Sequence, residues 1–255
     1  MGRVRIGLVV LVLALASLSA SFPGDPGAAA YGAGDSVYEP ADPGYDTVAW
    51  TDPQSPDPGS ASCSSGTVAL TFDDGPGPYT SRVLELLAKY RVRATFFVVG
   101  ERVEARPELI RQIVAGGHRV QNHTWSHPNL VTLSADRVRA ELSKTTAAIM
   151  AAGAPRPTQV RPPYGVTNAA VLRIMAAQRL TPITWTIDTN DWRGLSSAQI
   201  RSTVLDDLRP GAVVLMHDGL PTARNMLQAL PGMITGIRAA GYCFGFPRIR
   251  SIAPQ

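Results

Sequence analysis

From residue 63 onward the chain alternates short apolar runs with longer segments whose apolar residues recur every three or four positions. Residues 67–72 read as a strand, and residues 81–90 predict a helix with Val83, Leu84, Leu86 and Leu87 on or near one face. A second strand follows at 94–99. Pro107 opens a helix whose stripe is Leu109, Ile110, Ile113 and Val114, and Gly116-Gly117 ends it. A short strand at 118–121 precedes a helix that starts at Ser134 and carries Val138, Leu142 and Ile149. Strand 159–161, helix 167–177 and strand 182–187 come next. Helix 196–208, capped by Ser196, leads to strand 212–216. Residues 220–240 read as mostly helical with a break at Pro231-Gly232, and 242–249 as the last strand. Repeated strand–helix units imply an α/β fold, a parallel sheet with helices outside. Seven strands with crossover helices suit a distorted (β/α) barrel with about seven parallel strands. A flat doubly wound sheet is the alternative. No Gly-x-Gly-x-x-Gly turn follows the first strand, which argues against a dinucleotide binder. No internal repeat recurs at a fixed period.

The first 62 residues follow other rules. Arg3 and Arg5 precede an apolar stretch at 6–18, shorter than the roughly 20 residues that span a bilayer. Small residues follow at Ser19, Ala20 and Ser21. Residues 1–21 therefore read as a secretory signal peptide, and an uncleaved anchor is the competing reading. Ala28, Ala29 and Ala30 offer a second cut. Residues 22–62, rich in Pro, Gly and Asp, read as a disordered linker. The folded domain is then 63–255.

Composition narrows the classes. The 255 residues are 45% apolar and 17% charged, enough to fill a core. Two cysteines are too few for a disulfide-built miniprotein or a Cys-based zinc cluster. The net charge of +4 is unevenly spread. Residues 1–21 carry +2, residues 22–62 carry −7, and residues 63–255, with 22 basic and 13 acidic residues, carry +9.

Polar chemistry concentrates where strands end. Strand one runs into Asp73-Asp74-Gly75-Pro76. Strand three runs into Asn122-His123-Thr124-Trp125-Ser126-His127-Pro128, and strand four into Arg161-Pro162-Pro163-Tyr164-Gly165. Strand five runs into Asp188-Thr189-Asn190-Asp191-Trp192, and strand six into His217-Asp218. In a barrel of parallel strands these ends face one mouth. Each piece alone has a plainer reading: a turn for Asp73-Asp74 or Tyr164-Gly165, surface groups for His123 and His127, a surface ion pair for Arg161, a core histidine for His217. Together at one mouth they are harder to explain by stability. His123 and His127 lie four apart, which one helical turn would bring to one face, with Pro128 stopping that turn. Asp74, His123 and His127 form a two-His-one-carboxylate set with positions open for water and substrate. Asp73 is left as a general base, and His217 as a second proton carrier. The reaction class is metal-assisted hydrolysis.

At this point the ordered set resembles a known family. Thr71-Phe72-Asp73-Asp74-Gly75-Pro76, His123 through Pro128, Arg161-Pro162-Pro163-Tyr164, residues 188–192 and Leu215-Met216-His217 resemble the five motifs of the polysaccharide deacetylases, carbohydrate esterase family four, the nodulation-type deacetylase domain. The resemblance covers about residues 63–250. It implies a distorted β/α barrel, with Asp73 as base and Asp74, His123 and His127 holding a divalent metal, commonly Zn2+, with Co2+ or others as alternatives. It further implies that the Tyr164 backbone N–H stabilises the oxyanion, Arg161 orients Asp73 and His217 protonates the leaving group. Asp191, with Asp188 as the weaker candidate, orients His217. Trp192 and Leu215 line a pocket for the acetyl methyl group.

The partner so implied is an acetylated polysaccharide or oligosaccharide, with no nucleic acid, no stable membrane insertion once the leader is removed, and a monomeric enzyme outside the cell. N-deacetylation of an amino-sugar polymer (peptidoglycan, chitin or chitooligosaccharides) is the leading expectation. O-deacetylation of xylan and an inactive glycan-binding module are the alternatives. Cys63 and Cys243 flank the domain, and a secreted relative of this kind is expected to bridge them. Two free thiols are the alternative.

Overall fold

A computed structural model describes residues 63–247. The expected leader at 1–21, the linker at 22–62 and the end of the last strand at 248–249 lie outside the described residues. Strand β1 (Gly66–Gly75) is followed by α1 (Thr80–Lys89), β2 (Thr95–Val98), α2 (Gly100–Ala105), α3 (Pro107–Ala115) and β3 (Arg119–Asn122). Then come α4 (Ala135–Ala151), β4 (Gln159–Val160), α5 (Ala169–Ala177), β5 (Thr181–Pro182) and β6 (Ile187–Asp188). The order ends with α6 (Ser197–Asp206), β7 (Ala212–His217), α7 (Ala223–Ala239) and β8 (Tyr242–Phe244).

Every strand pairing is parallel, in the order β5-β4-β3-β2-β1-β7-β6. The expected fifth strand, 182–187, is in fact two. Its start pairs with β4 and its end with β7, so this one segment connects the two ends of the sheet. The result is the distorted barrel. Eight strands replace seven because the segment changes neighbour midway. Strand β8 pairs with the start of β1, Thr67 opposite Cys243, and Cys63 is bridged to Cys243 there.

Period-two alternation sorts β1. Val68, Leu70 and Phe72 join Val83 and Leu87 of α1 and Val214 and Met216 of β7 in the core between sheet and helices. The intervening Thr71 and Asp73 meet Arg161 on the other face. A smaller core holds α4 and α5 over β4, with Leu142, Val160 and Met175.

Two local expectations are corrected. Helix α7 runs through Pro231 without a break. Its buried stripe continues on both sides, through Met226, Leu230, Met233 and Ile237, and that burial outweighs the lost backbone hydrogen bond. Short helix α2, not anticipated, begins directly after β2. Elsewhere the helix starts match expectation: Ser134 stands at the start of α4, where it accepts from the Arg137 N–H, and Ser196 caps α6 in a capping box with Gln199.

Candidate functional site

Adjacent strand residues point to opposite faces, so two neighbouring aspartates need a device to serve one site. That device is a bulge. Asp73 pairs with Phe97 but Gly75 pairs with Val98, leaving Asp74 as the extra residue, in left-handed conformation at φ 66°. Asp is among the few side chains that tolerate this region. The carbonyl of Asp74 is held by Arg102 Nη1 of α2, which also donates to Gly219 O at 2.9 Å.

The His123–His127 segment forms no helical turn, contrary to expectation. It is a loop with positive φ at Thr124 (67°) and His127 (58°), and Pro128 disfavours helical backbone at His127. The loop still brings the imidazoles together, with ring centroids 4.8 Å apart. His123 Nδ1 lies 2.7 Å from the Arg161 carbonyl. A carbonyl only accepts, so Nδ1 carries the proton and Nε2 presents its lone pair. Nε2 of His123 and Nε2 of His127 lie 3.4 and 3.3 Å from Asp74 Oδ1.

That oxygen is buried with no hydrogen-bond partner in the structure. Burial raises the Asp74 carboxyl, but contact with His123 and the charges of His123, His127 and His217 outweigh it and hold it well below the usual carboxylate range. Burial and the nearby His123 lower His127. Ligand atoms around a tetrahedral ion with bonds of about 2.0–2.1 Å stand about 3.3–3.4 Å apart. The three residues therefore fit a divalent cation with mixed nitrogen and oxygen ligands, and they are the one such group among the described residues.

Asp73 sits beside this set. Its Oδ1 accepts from Arg161 Nη1 at 2.6 Å, and its Oδ2 is 3.7 Å from His123 Nε2. Arg161 is fully buried. It donates to Thr71 Oγ1 at 2.9 Å and to the Ile183 and Thr184 carbonyls at 3.3 Å, and it lies 4.2 Å from the Phe97 ring centroid. The guanidinium thus has one pose, and Asp73 inherits it.

Across the mouth, at the end of β7, His217 Nδ1 is 2.7 Å from Asp191 Oδ1, and its backbone N–H donates to Asp191 Oδ2 at 2.8 Å. Burial opposes a charged imidazole here. The Asp191 hydrogen bond and charge, with Asp73 and Asp74 behind them, push His217 up to about 9. Asp188 turns elsewhere and accepts the Asn190 N–H. Tyr164 is left-handed (φ 61°) in a short 3₁₀ turn, exposed, with its ring edge-on to His127 at 4.9 Å. Leu215 is buried two residues before His217, so the two share a face of β7. Trp192 is half exposed, with the Arg193 guanidinium over its ring.

Sequence reading missed some of the supports. Asp218 is fully buried. It accepts from Thr80 Oγ1, and burial pushes it up to about 7. A Cβ on Gly75 would lie 2.5 Å from Asp218 Oδ1, so only glycine lets the strand end pass this carboxyl. The Asp218 side chain follows His217 directly, a position that reads as loop. Arg102 was hidden because α2 was not anticipated.

Comparison with known proteins agrees with the residues. The polysaccharide deacetylase family model matches residues 61–183. A chitooligosaccharide deacetylase of Bradyrhizobium is 46% identical over 162 residues, 62% of this chain and 74% of that protein. A peptidoglycan-N-acetylglucosamine deacetylase of Bacillus cereus is 39% identical over 151 residues, 59% of this chain and 55% of that protein. Among solved structures, a family 4 carbohydrate esterase from Streptomyces lividans, in complex with acetate, superposes with a TM-score of 0.69 at 36% identity, covering 74% of this chain and 98% of that one. With five motifs in order, a shared fold and a convergent His-His-Asp set, the chain belongs to the polysaccharide deacetylase family, carbohydrate esterase family four.

Proposed function

We propose that this chain is a secreted, monomeric deacetylase that removes N-acetyl groups from an amino-sugar polymer (peptidoglycan, chitin or chitooligosaccharide) and releases acetate. The observation that carries this is the buried, unpartnered Asp74 Oδ1 facing two imidazole nitrogens, with a second carboxylate, Asp73, beside them. A divalent cation held by Asp74, His123 and His127, zinc in our reading and cobalt as the alternative, supplies Lewis acidity toward the acetyl carbonyl and makes water easier to deprotonate.

The chain's own residues do the rest. Asp73, aimed by Arg161, takes a proton from the attacking water. The Tyr164 backbone N–H donates to the developing oxyanion. As the carbon–nitrogen bond breaks, His217 delivers its proton to the departing amine. With His217 raised to about 9, it begins protonated at neutral pH, and Asp191 on Nδ1 leaves Nε2–H as the donor. Leu215 and Trp192 enclose the acetyl methyl group.

Secretion rests on the leader-like residues 1–21 and is supported by the Cys63–Cys243 bridge, since such bridges persist in oxidising compartments. N-terminal sequencing of the exported protein tests it; a start at Met1 overturns it.

The substrate is tested on the zinc-loaded full chain with chitooligosaccharides, peptidoglycan and acetylated xylan, by measuring released acetate. Acetate from the amino-sugar polymers is the expected result. Acetate from xylan alone overturns the amide reading in favour of an ester. Bound metal with no acetate from any polymer favours a glycan-binding module.

A further inference from the structure

Helix α4 buries one acid among apolar and hydroxyl side chains. Val138, Leu142, Thr145 and Ile149 are buried on that side, and Glu141 is only 7% exposed among them. A carboxyl there needs hydrogen bonds to replace lost water. Each hydrogen bond the structure gives its carboxylate comes from the segment between His123 and His127. Oε2 accepts from the Trp125 backbone N–H at 2.8 Å and the Ser126 backbone N–H at 2.9 Å; Oε1 accepts from Ser126 Oγ at 3.1 Å.

The same segment is held from its other side. Its Thr124 and Trp125 carbonyls accept from the Gly100 and Glu101 N–H groups at the start of α2, at 2.9 and 3.1 Å. The Thr124 N–H donates to Asn122 Oδ1 at 2.8 Å, and Asn122 Nδ2 donates to the Leu142 carbonyl and Thr146 Oγ1 of α4. These bonds hold backbone that is unfavourable by itself. Thr124 is β-branched and His127 precedes a proline, yet both sit at positive φ. The two ends of this strained segment are the imidazoles that face Asp74 Oδ1.

We propose that Glu141 is a positioning residue for the metal centre: by accepting the Trp125 and Ser126 amides between His123 and His127, it holds the two imidazoles at the spacing one cation requires. This rests on the metal-dependent reading above. No hydrogen bond or ion pair joins Glu141 to Asp74 or to either imidazole, so it acts through the loop. A purely structural Glu141 would tie α4 to the loop and change stability without changing metal affinity.

The test uses the full chain, stripped with chelator and titrated with Zn2+ against a competing chelator. E141A should bind zinc about 10–100-fold more weakly, the range for residues that orient metal ligands. E141Q keeps an oxygen for both amides and an NH2 for Ser126 Oγ, so it should restore affinity close to wild type. Saturating Co2+ should give shifted visible bands in E141A and wild-type bands in E141Q. Equal zinc affinity in E141A and wild type overturns the proposal, whatever the metal-free melting temperature does. If E141A does not fold, E141D decides: it is one methylene short of the amides, and unchanged affinity overturns the proposal. Failure of the wild type itself to bind zinc removes both this proposal and the metal-dependent reading. Tight wild-type binding with an unaffected variant removes this proposal alone.

Discussion

Two histidines at opposite ends of the barrel, His118 buried and His217 half-buried, have been driven in opposite directions. His118 precedes β3 at the end where strands begin. Burial and the neighbouring Arg93 push it down to about 4, and its Nδ1 accepts the Ala94 N–H. His217 ends β7 at the opposite mouth, where Asp191 and the Asp73–Asp74 pair push it up to about 9 against partial burial. Desolvation acts on both, so the sign is decided by the neighbours. Where strands begin, cation and backbone donor keep the ring neutral and structural. Where they end, carboxylates keep it charged and ready to give up a proton. That second end also holds the metal-ligating set, while the first holds the Cys63–Cys243 bridge.

The comparison breaks most sharply at the mouth. Asp73→Asn should lower kcat by about 10³–10⁴-fold while zinc remains bound, whereas His123→Ala should lose the zinc. Metal analysis alongside acetate release separates the two roles; equal metal loss in both contradicts the division. At the other end, Cys63→Ser with Cys243→Ser opens a loop of 180 residues. Chain-entropy reasoning gives a loss of about 5 kcal/mol, read as a fall in thermal midpoint with acetate release per folded molecule unchanged.

A milder test uses pH. His118 binds its proton near 6.5 when unfolded but only near 4 when folded, so the unfolded state holds more protons between those values. Stability should therefore fall as pH drops through that window, by up to about 3 kcal/mol. Urea midpoints of wild type and His118→Phe between pH 7 and 4 check this, because the variant should lose less. The smallest effect expected is Asp191→Asn, about 10²-fold in kcat at neutral pH. Removing the carboxylate that raises His217 should also move the alkaline limb of kcat down from about 9 toward the ordinary imidazole range. An unmoved limb assigns that proton elsewhere.

Much of this was legible from the residues alone. Strand one and its acid pair, the capping residues Ser134 and Ser196, and the stripes of α3 and α4 follow from local rules of period and capping. Asp74, His123 and His127 could be grouped because their motifs end the first and third of a run of parallel strands. The four-residue spacing of the His pair nevertheless works differently from the helical turn it suggests: a loop with two positive-φ residues brings the rings together. Glu141 had one faint sign, an acid three residues after Val138 on the stripe that also carries Leu142. Its meaning depends on a loop fifteen residues earlier, which helical periodicity cannot locate.

Local sequence thus determined the strand–helix alternation, the placement of ionisable groups at strand ends and the cysteines flanking the domain, since each depends on neighbours within a few residues. Only the tertiary structure decided that segment 181–188 splits between β4 and β7, that a bulge turns Asp74 to the side of Asp73, and that Pro231 stays helical. It also set the opposite states of His118 and His217. Those outcomes depend on groups far apart in the chain, whose packing and fields exist only once the sheet has closed.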